Sequence, residues 1–395
     1  MKPNILAFVA TILIALTLLP TNIHTYAQST RDKDAGLKYQ INQPEFENTR
    51  LTFTEEDYEK RIAEISGDVE LRYNKYVRGN IDAYLRYPRL TERLIGKSTI
   101  YFPIFEEYLE KYDLPEELKF LPVIESALDP TAVSRVGAGG LWQFMPYTGN
   151  EYNLRINEYV DERMDPRMST EAAMKFLTNL HERYDDWILA LAAYNCGPGR
   201  VNKAIRRTGS KDFWKIYKHL PKETRNYVPA YIAVAYLMNY YQIHGLNPVY
   251  PSLDYQVTDT MIVHQHLDFS RIVKKCDVEL EVVQKLNPSF KLNFIPTNHK
   301  GYVLTLPAGK MALFRGIDPM DAKYLAANEQ PPGEKVYMKD LEDPGHTIYE
   351  IQNGETLWDV ARHYPGVSVR DIIRVNQLAD IGKIKPGAHL KIPEG

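Results

Sequence analysis

The chain has 395 residues, a formal net charge of −3, ten histidines and two cysteines. Its length suits two or three domains, and so balanced a charge gives no basis for nucleic-acid binding. Two cysteines cannot form a zinc site unaided and no histidine spacing suggests one, so no metal or other cofactor is expected.

Residues 1–27 read as an export signal: Lys2 is the charged start, Ile5 to Leu19 the apolar run, and Thr25-Tyr26-Ala27 the small-residue cleavage site. The run is short for a membrane span, and no cysteine near the cut offers a site for lipid. The expected location is therefore outside the cytoplasm, in a periplasm or cell envelope, without a lipid anchor. Residues 28–45 are polar and pattern-poor, as in a flexible leader. From Thr54 a helical pattern begins, with Tyr58, Ile62 and Ile65 in step, and Ile100 to Lys111 is amphipathic. Asp113 and Glu116 form a capping-box-like start with Pro115 in the first turn. On that helix Leu118, Leu121 and Glu125 share one face, and Pro122 predicts a bend or early end.

A carboxylate on an apolar stripe needs explaining. Burial raises its pKa, which suits a general acid at neutral pH, whereas a partner such as Arg135 would make it merely structural. The residues alone leave both open. Ser134 and a glycine-dense turn (Gly137, Gly139, Gly140) follow, then Trp142 to Pro146. Helical runs cover Ser169 to Tyr184, Trp187 to Asn195 (apolar almost all round, hence central) and Tyr227 to Tyr241. Residues 46–245 thus read as an all-α domain.

After Gly245 the pattern changes. Tyr255-Gln256-Val257, Met261 to Val263 and Tyr302 to Leu306 look like short strands, and residues 308–345 like a linker rich in Pro, Gly and charge near its end. Residues 346–393 read as a βααβ unit. Val278 to Asn287 echoes Val367 to Asn376, and each is followed by a strand ending in Pro, which marks residues 254–307 as a degenerate copy. Cys196 and Cys276 fall in different units, where a disulfide and two buried thiols both remain open.

Four stretches carry a resemblance: Glu125-Ser126, Gly140 to Pro146 (GLWQFMP), Ala193 to Gly197 (AYNCG) and Glu223 to Val228 (ETRNYV). In order and spacing they resemble the lysozyme-like domain of family 1 lytic murein transglycosylases, and residues 346–393 resemble a LysM module. The combination is similar to the D-type, membrane-bound members. The implied architecture is multidomain: an all-α lysozyme-like catalytic domain followed by small α+β (βααβ) LysM modules. The resemblance implies Glu125 as sole acid/base and Ser134, Gln143, Met145, Tyr194, Asn195 and Tyr227 as substrate contacts. It further implies cleavage of the β-1,4 bond between N-acetylmuramic acid and N-acetylglucosamine without water, leaving a 1,6-anhydro end. Peptidoglycan strands are the implied partner, with peripheral association at the cell envelope. The LysM sugar site is expected at Asn353, Gly354, Glu355, Thr356 and Asn376, with Trp358 and Tyr364 packing beneath. Cys196 departs from the small Ala or Ser more usual there.

Each residue also has a plainer role. Ser134 suits a turn cap, Trp142 and Met145 suit core, and the glycines suit a tight turn. Glu223 reads as structural, paired with an arginine in the core. A hydrolytic muramidase and a non-catalytic wall-binding protein are the alternative functions. Many hydrolases use two carboxylates, and the matched stretches otherwise supply only Glu125.

Overall fold

The computed structural model describes residues 53–316 and, near the C-terminus, 346–352, 357–364, 367, 371–372, 375–376 and 388–393. The signal and leader, most of the linker, and Asn353 to Thr356 lie outside the described residues.

Three helices open the all-α part: α1 (Glu55–Glu64), α2 (Lys75–Leu85) and α3 (Pro88–Lys111). Asn74 caps α2, its side chain accepting from the Tyr76 and Val77 N–H groups. α3 begins twelve residues before the amphipathic stretch at Ile100, because Pro88 tolerates the first turn and Leu94 and Ile95 extend the apolar stripe. A 3₁₀ turn (Glu116–Phe120) then gives way to α4 (Leu121–Ser126). The expected break at Pro122 takes this form: the proline sits in the first turn of a new short helix. α4 stops at Ala127 and Leu128, both left-handed (φ 54° and 53°). Glu125 is thereby left in its last turn.

Beyond a turn region come α5 (Pro146–Glu151), α6 (Pro166–Tyr184), α7 (Trp187–Cys196), α8 (Pro198–Thr208), the short α9 (Phe213–Ile216) and α10 (Lys222–Tyr240). α7 is the centre: Ile188 to Ala193 are all buried, as its apolar sequence requires, with α6, α8 and α10 packed round it. Full burial of a side chain such as Leu189 stabilises by roughly 1.5–3 kcal/mol. α10 also packs on α4 and so brings its first turns to Glu125.

The second module follows. The Tyr255-Gln256-Val257 run is not a strand: Leu253–Gln256 is a single helical turn, α11, closed by the Val257 N–H on the Leu253 carbonyl at 2.8 Å. Then come β1 (Thr258–Val263), β2 (Leu267–Asp268), α12 (Phe269–Cys276), α13 (Leu280–Leu286), β3 (Phe294–Ile295), β4 (Tyr302–Pro307) and α14 (Ala308–Arg315). β1 pairs antiparallel with β4, and β2 with β3. α14 corrects the linker expected from residue 308, because Met311 and Ala312 are fully buried and hold it to the module.

In the last module β5 (His346–Glu350) pairs antiparallel with β6 (His389–Pro393), and α15 (Leu357–Arg362) packs with Ile372 between them. Tyr364 lies against this core, and the Trp358 side chain is outside the described residues. The sequence echo has an atomic basis. Asn287 Nδ2 donates to the Val283 and Thr305 carbonyls (2.8 and 2.7 Å) while Oδ1 accepts the Thr305 N–H. Asn376 does the same with Ile372 and Lys391 (2.8, 2.6 and 2.7 Å). Each carboxamide clamps a helix end to the final strand. Asn376, expected to touch sugar, has both amide protons committed to this clamp.

Candidate active site

Glu125 remains partly exposed, on a helix whose Leu121 and Val123 are buried. The Tyr227 hydroxyl, on α10, donates to Glu125 Oε1. Burial pushes the carboxyl up to about 7, the Tyr227 hydrogen bond pulls it down, and the charge of Glu223 pushes it further up. No arginine pairs with Glu125 among the described residues, and Arg135 is exposed. An arginine pair such as the one with Arg135 therefore does not account for its place on the stripe. Tyr227 is itself buried, and Tyr231, one turn on, donates to the Glu117 carbonyl at 2.8 Å, fixing α10 against the approach to α4.

The turn after α4 supplies a second wall. Isolated bridges join Val133 to Gly139 and Gly139 to Phe144. Ser126 Oγ lies 3.0 Å from the Leu141 carbonyl, and the Tyr194 hydroxyl donates to the Trp142 carbonyl at 2.7 Å. Both bonds tie this turn to the elements bearing Glu125 and Asn195. Ser134 Oγ accepts the Ala138 N–H at 3.0 Å, so the cap role is real, but its own proton is uncommitted among the described residues. Gln143 (φ 48°) is spent inside the turn, donating to the Ala132 and Gly140 carbonyls at 3.1 and 2.9 Å. Met145 is 41% exposed, so the expectation of a core methionine fails, while Trp142 is wholly buried with Nε1 on Thr170. Asn195 accepts from the Thr224 hydroxyl at 2.8 Å, and its amide group makes no hydrogen bond among the described residues.

Known families and proteins match the chain along most of its length. The family model described as Transglycosylase SLT domain matches residues 102–217, LysM domain matches 349–393, and Lytic transglycosylase MltD, LysM-like domain matches 257–318. Membrane-bound lytic murein transglycosylase D of Escherichia coli is 29% identical over 82% of this chain and 70% of its own. Soluble lytic murein transglycosylase of Escherichia coli is 28% identical over 34% of this chain and 22% of its own. The chain belongs to the peptidoglycan lytic transglycosylases. Among solved structures, the 70 kDa soluble lytic transglycosylase of Escherichia coli matches 36% of this chain and 24% of its own at 28% identity, with a TM-score of 0.31.

One feature of this transglycosylase differs from the sequence expectations. Glu223 is exposed in the first turn of α10 and makes no ion pair among the described residues, so it is not a core structural partner. One helical turn separates it from Tyr227, and its charge reaches Glu125. Cys196 and Cys276 are free and buried, and burial pushes both thiols up. The sequence also conceals the buried pair Asp161–Arg163 (2.7 Å), whose Arg163 Nη1 holds the Gly137 and Phe144 carbonyls at 2.6 and 3.0 Å. The only trace of it is the charged run Asp161-Glu162-Arg163 between apolar neighbours. Among the described residues no cluster of three or more His, Cys, Asp or Glu could hold a metal, and no helix is long and apolar enough to cross a membrane.

Proposed function

We propose that Glu125 alone carries the acid/base chemistry, and that the enzyme cuts the β-1,4 bond between N-acetylmuramic acid and N-acetylglucosamine without water. The observation that carries this reading is a carboxyl titrating at about 7 with a tyrosine hydroxyl as its direct partner. A group poised there is half protonated at neutral pH and can serve as acid and then base. As acid, Glu125 gives its proton to the glycosidic oxygen while the muramoyl 2-acetamido oxygen stabilises C1. As carboxylate, it takes the proton of the C6 hydroxyl, whose oxygen closes the 1,6-anhydro ring on C1. Tyr227 stabilises the carboxylate between the two steps. Ser134, Met145, Tyr194 and the free amide of Asn195 face substrate, and Gln143 contributes by shaping the turn. The last module holds glycan through Asn353, Gly354, Glu355 and Thr356, which raises local concentration on an insoluble polymer. The enzyme is exported and acts in the periplasm or cell envelope.

A hydrolytic reading has one specific support, the reach of the Glu223 charge to Glu125. Glu223 would then be the base that activates water, as in enzymes with two separated carboxylates. Release of soluble muropeptides from purified sacculi by Glu125→Gln and Glu223→Gln variants separates the readings. Loss in Glu125→Gln with retention in Glu223→Gln supports the single-carboxylate route, and loss in both favours hydrolysis. Retained release in Glu125→Gln would remove Glu125 from the chemistry altogether.

A further inference from the structure

Residues 155–163 form a strap that runs from the all-α part to the second module and back. Val160 is fully buried within that module's core, beside Phe269, Ile272 and Phe290, and it bridges Phe290 in antiparallel fashion. The Asp161 N–H donates to the Ser289 carbonyl at 2.8 Å, and the Lys291 N–H to the Tyr159 carbonyl at 2.9 Å. At the strap's other end Arg155 is held by buried Glu162 (Nε to Oε1, 2.6 Å). It reaches the Gly301 carbonyl at 3.3 Å and lies over the Tyr302 ring at 4.0 Å. The module thus grips the strap at two points.

The strap in turn grips the cleft. Arg163 is 6% exposed; Asp161 takes its Nε and Nη2, and its Nη1 holds the carbonyls at both ends of the Gly137–Phe144 turn. Gly140, at φ +82°, passes so close that a Cβ there would lie 1.7 Å from the Arg163 carbonyl oxygen. Only glycine permits that approach. An unbroken chain of contacts therefore links the module to the turn that borders Glu125.

The loops on which a sugar-binding role would depend are already occupied. By the Asn287–Asn376 correspondence, the counterparts of the last module's expected sugar loops are residues 264–268 and 288–301. These two are bonded to each other: β2 pairs with β3, the Asn298 N–H donates to His264 O and the Phe269 N–H to Asn293 O, both at 2.9 Å. Residues 289–291 are bonded to the strap.

We propose that residues 257–315 brace the catalytic cleft and do not hold glycan. Their grip on the strap fixes Arg163, a positioning residue, and Arg163 sets the turn from Gly137 to Phe144. The proposal rests on that turn being a wall of the substrate cleft. In the full-length chain, Val160→Asp puts a charge into the module core and releases the strap, and Arg163→Lys keeps the charge but loses the fork.

Both variants should speed amide hydrogen exchange at Gly139 and Phe144 while α7 stays protected. Both should lower kcat on a soluble glycan about tenfold or more with KM within about twofold, since small misplacements at a distance cost rate. Unchanged exchange at Gly139 and Phe144, or unchanged kcat, would overturn the brace. If Val160→Asp also unprotects α7, Arg163→Lys decides alone by the same two readouts. His266→Ala with Phe294→Ala, which removes the ring pair (4.8 Å) joining the two loops, should leave retention on sacculi unchanged, and a loss of retention would return sugar binding to this module. The exchange readout needs no activity, so the brace stands or falls separately from the role of Glu125.

Discussion

Two glutamates lie close enough for one charge to act on the other, on the last turn of α4 and the first turn of α10. Glu125 is desolvated, accepts a hydrogen bond from Tyr227 and titrates at about 7. Glu223 is exposed and without an ion pair among the described residues. Identical side chains thus take different parts because their surroundings differ: desolvation disfavours the charged form of Glu125 and so raises its pKa. The exposed glutamate still acts on Glu125 through its charge.

The sharpest way to break this contrast is to remove each carboxylate. Glu125→Gln should lower muropeptide release by about a thousandfold, the range of a positioned acid/base, whereas Glu223→Gln should stay within about tenfold of the parent on the same assay. The next effect is on stability. The folded protein holds the Glu125 proton more tightly than the unfolded chain does, so stability falls as pH rises from 4.5 to about 7 and is level above that. Glu125→Gln should therefore match the parent at pH 4 and exceed it above pH 7 by up to about 3 kcal/mol in urea unfolding. Equal stability at both pH values would deny the desolvated site.

Tyr227→Phe removes the hydrogen bond that favours the carboxylate, so the Glu125 pKa should rise further. Rate at pH 7 should drop about tenfold to a hundredfold, with the pH optimum displaced upward in the pH–rate profile. The smallest effect belongs to Glu223→Gln: without that negative charge Glu125 should titrate lower, moving the profile toward acid. The displacement should shrink in high salt, because Glu223 is exposed.

What could be read from sequence follows the range of the forces involved. Glu125 is marked by local periodicity with Leu118 and Leu121, and the central helix α7 by its apolar composition. The repeat is marked by the step between Asn287 and Asn376, although the clamp that makes those two asparagines structural is not. Arg163 leaves almost no mark, since two of its partners are backbone carbonyls of a distant turn and carbonyls have no residue type. Glu223 escapes a sequence reading because the Glu-Thr-Arg pattern gives helix phase but not which neighbours cover that face. The strand expected at Tyr255 failed for a related reason: β-forming residues there close one helical turn before β1, where context outweighs propensity.

The central claim is that a single carboxylate makes a cut without water. Digestion of sacculi in H2(18)O, followed by mass spectrometry of the muropeptides, tests it directly. The account predicts 1,6-anhydro-muramoyl ends free of (18)O. Reducing muramic acid ends carrying (18)O would contradict it and show that water attacks the bond.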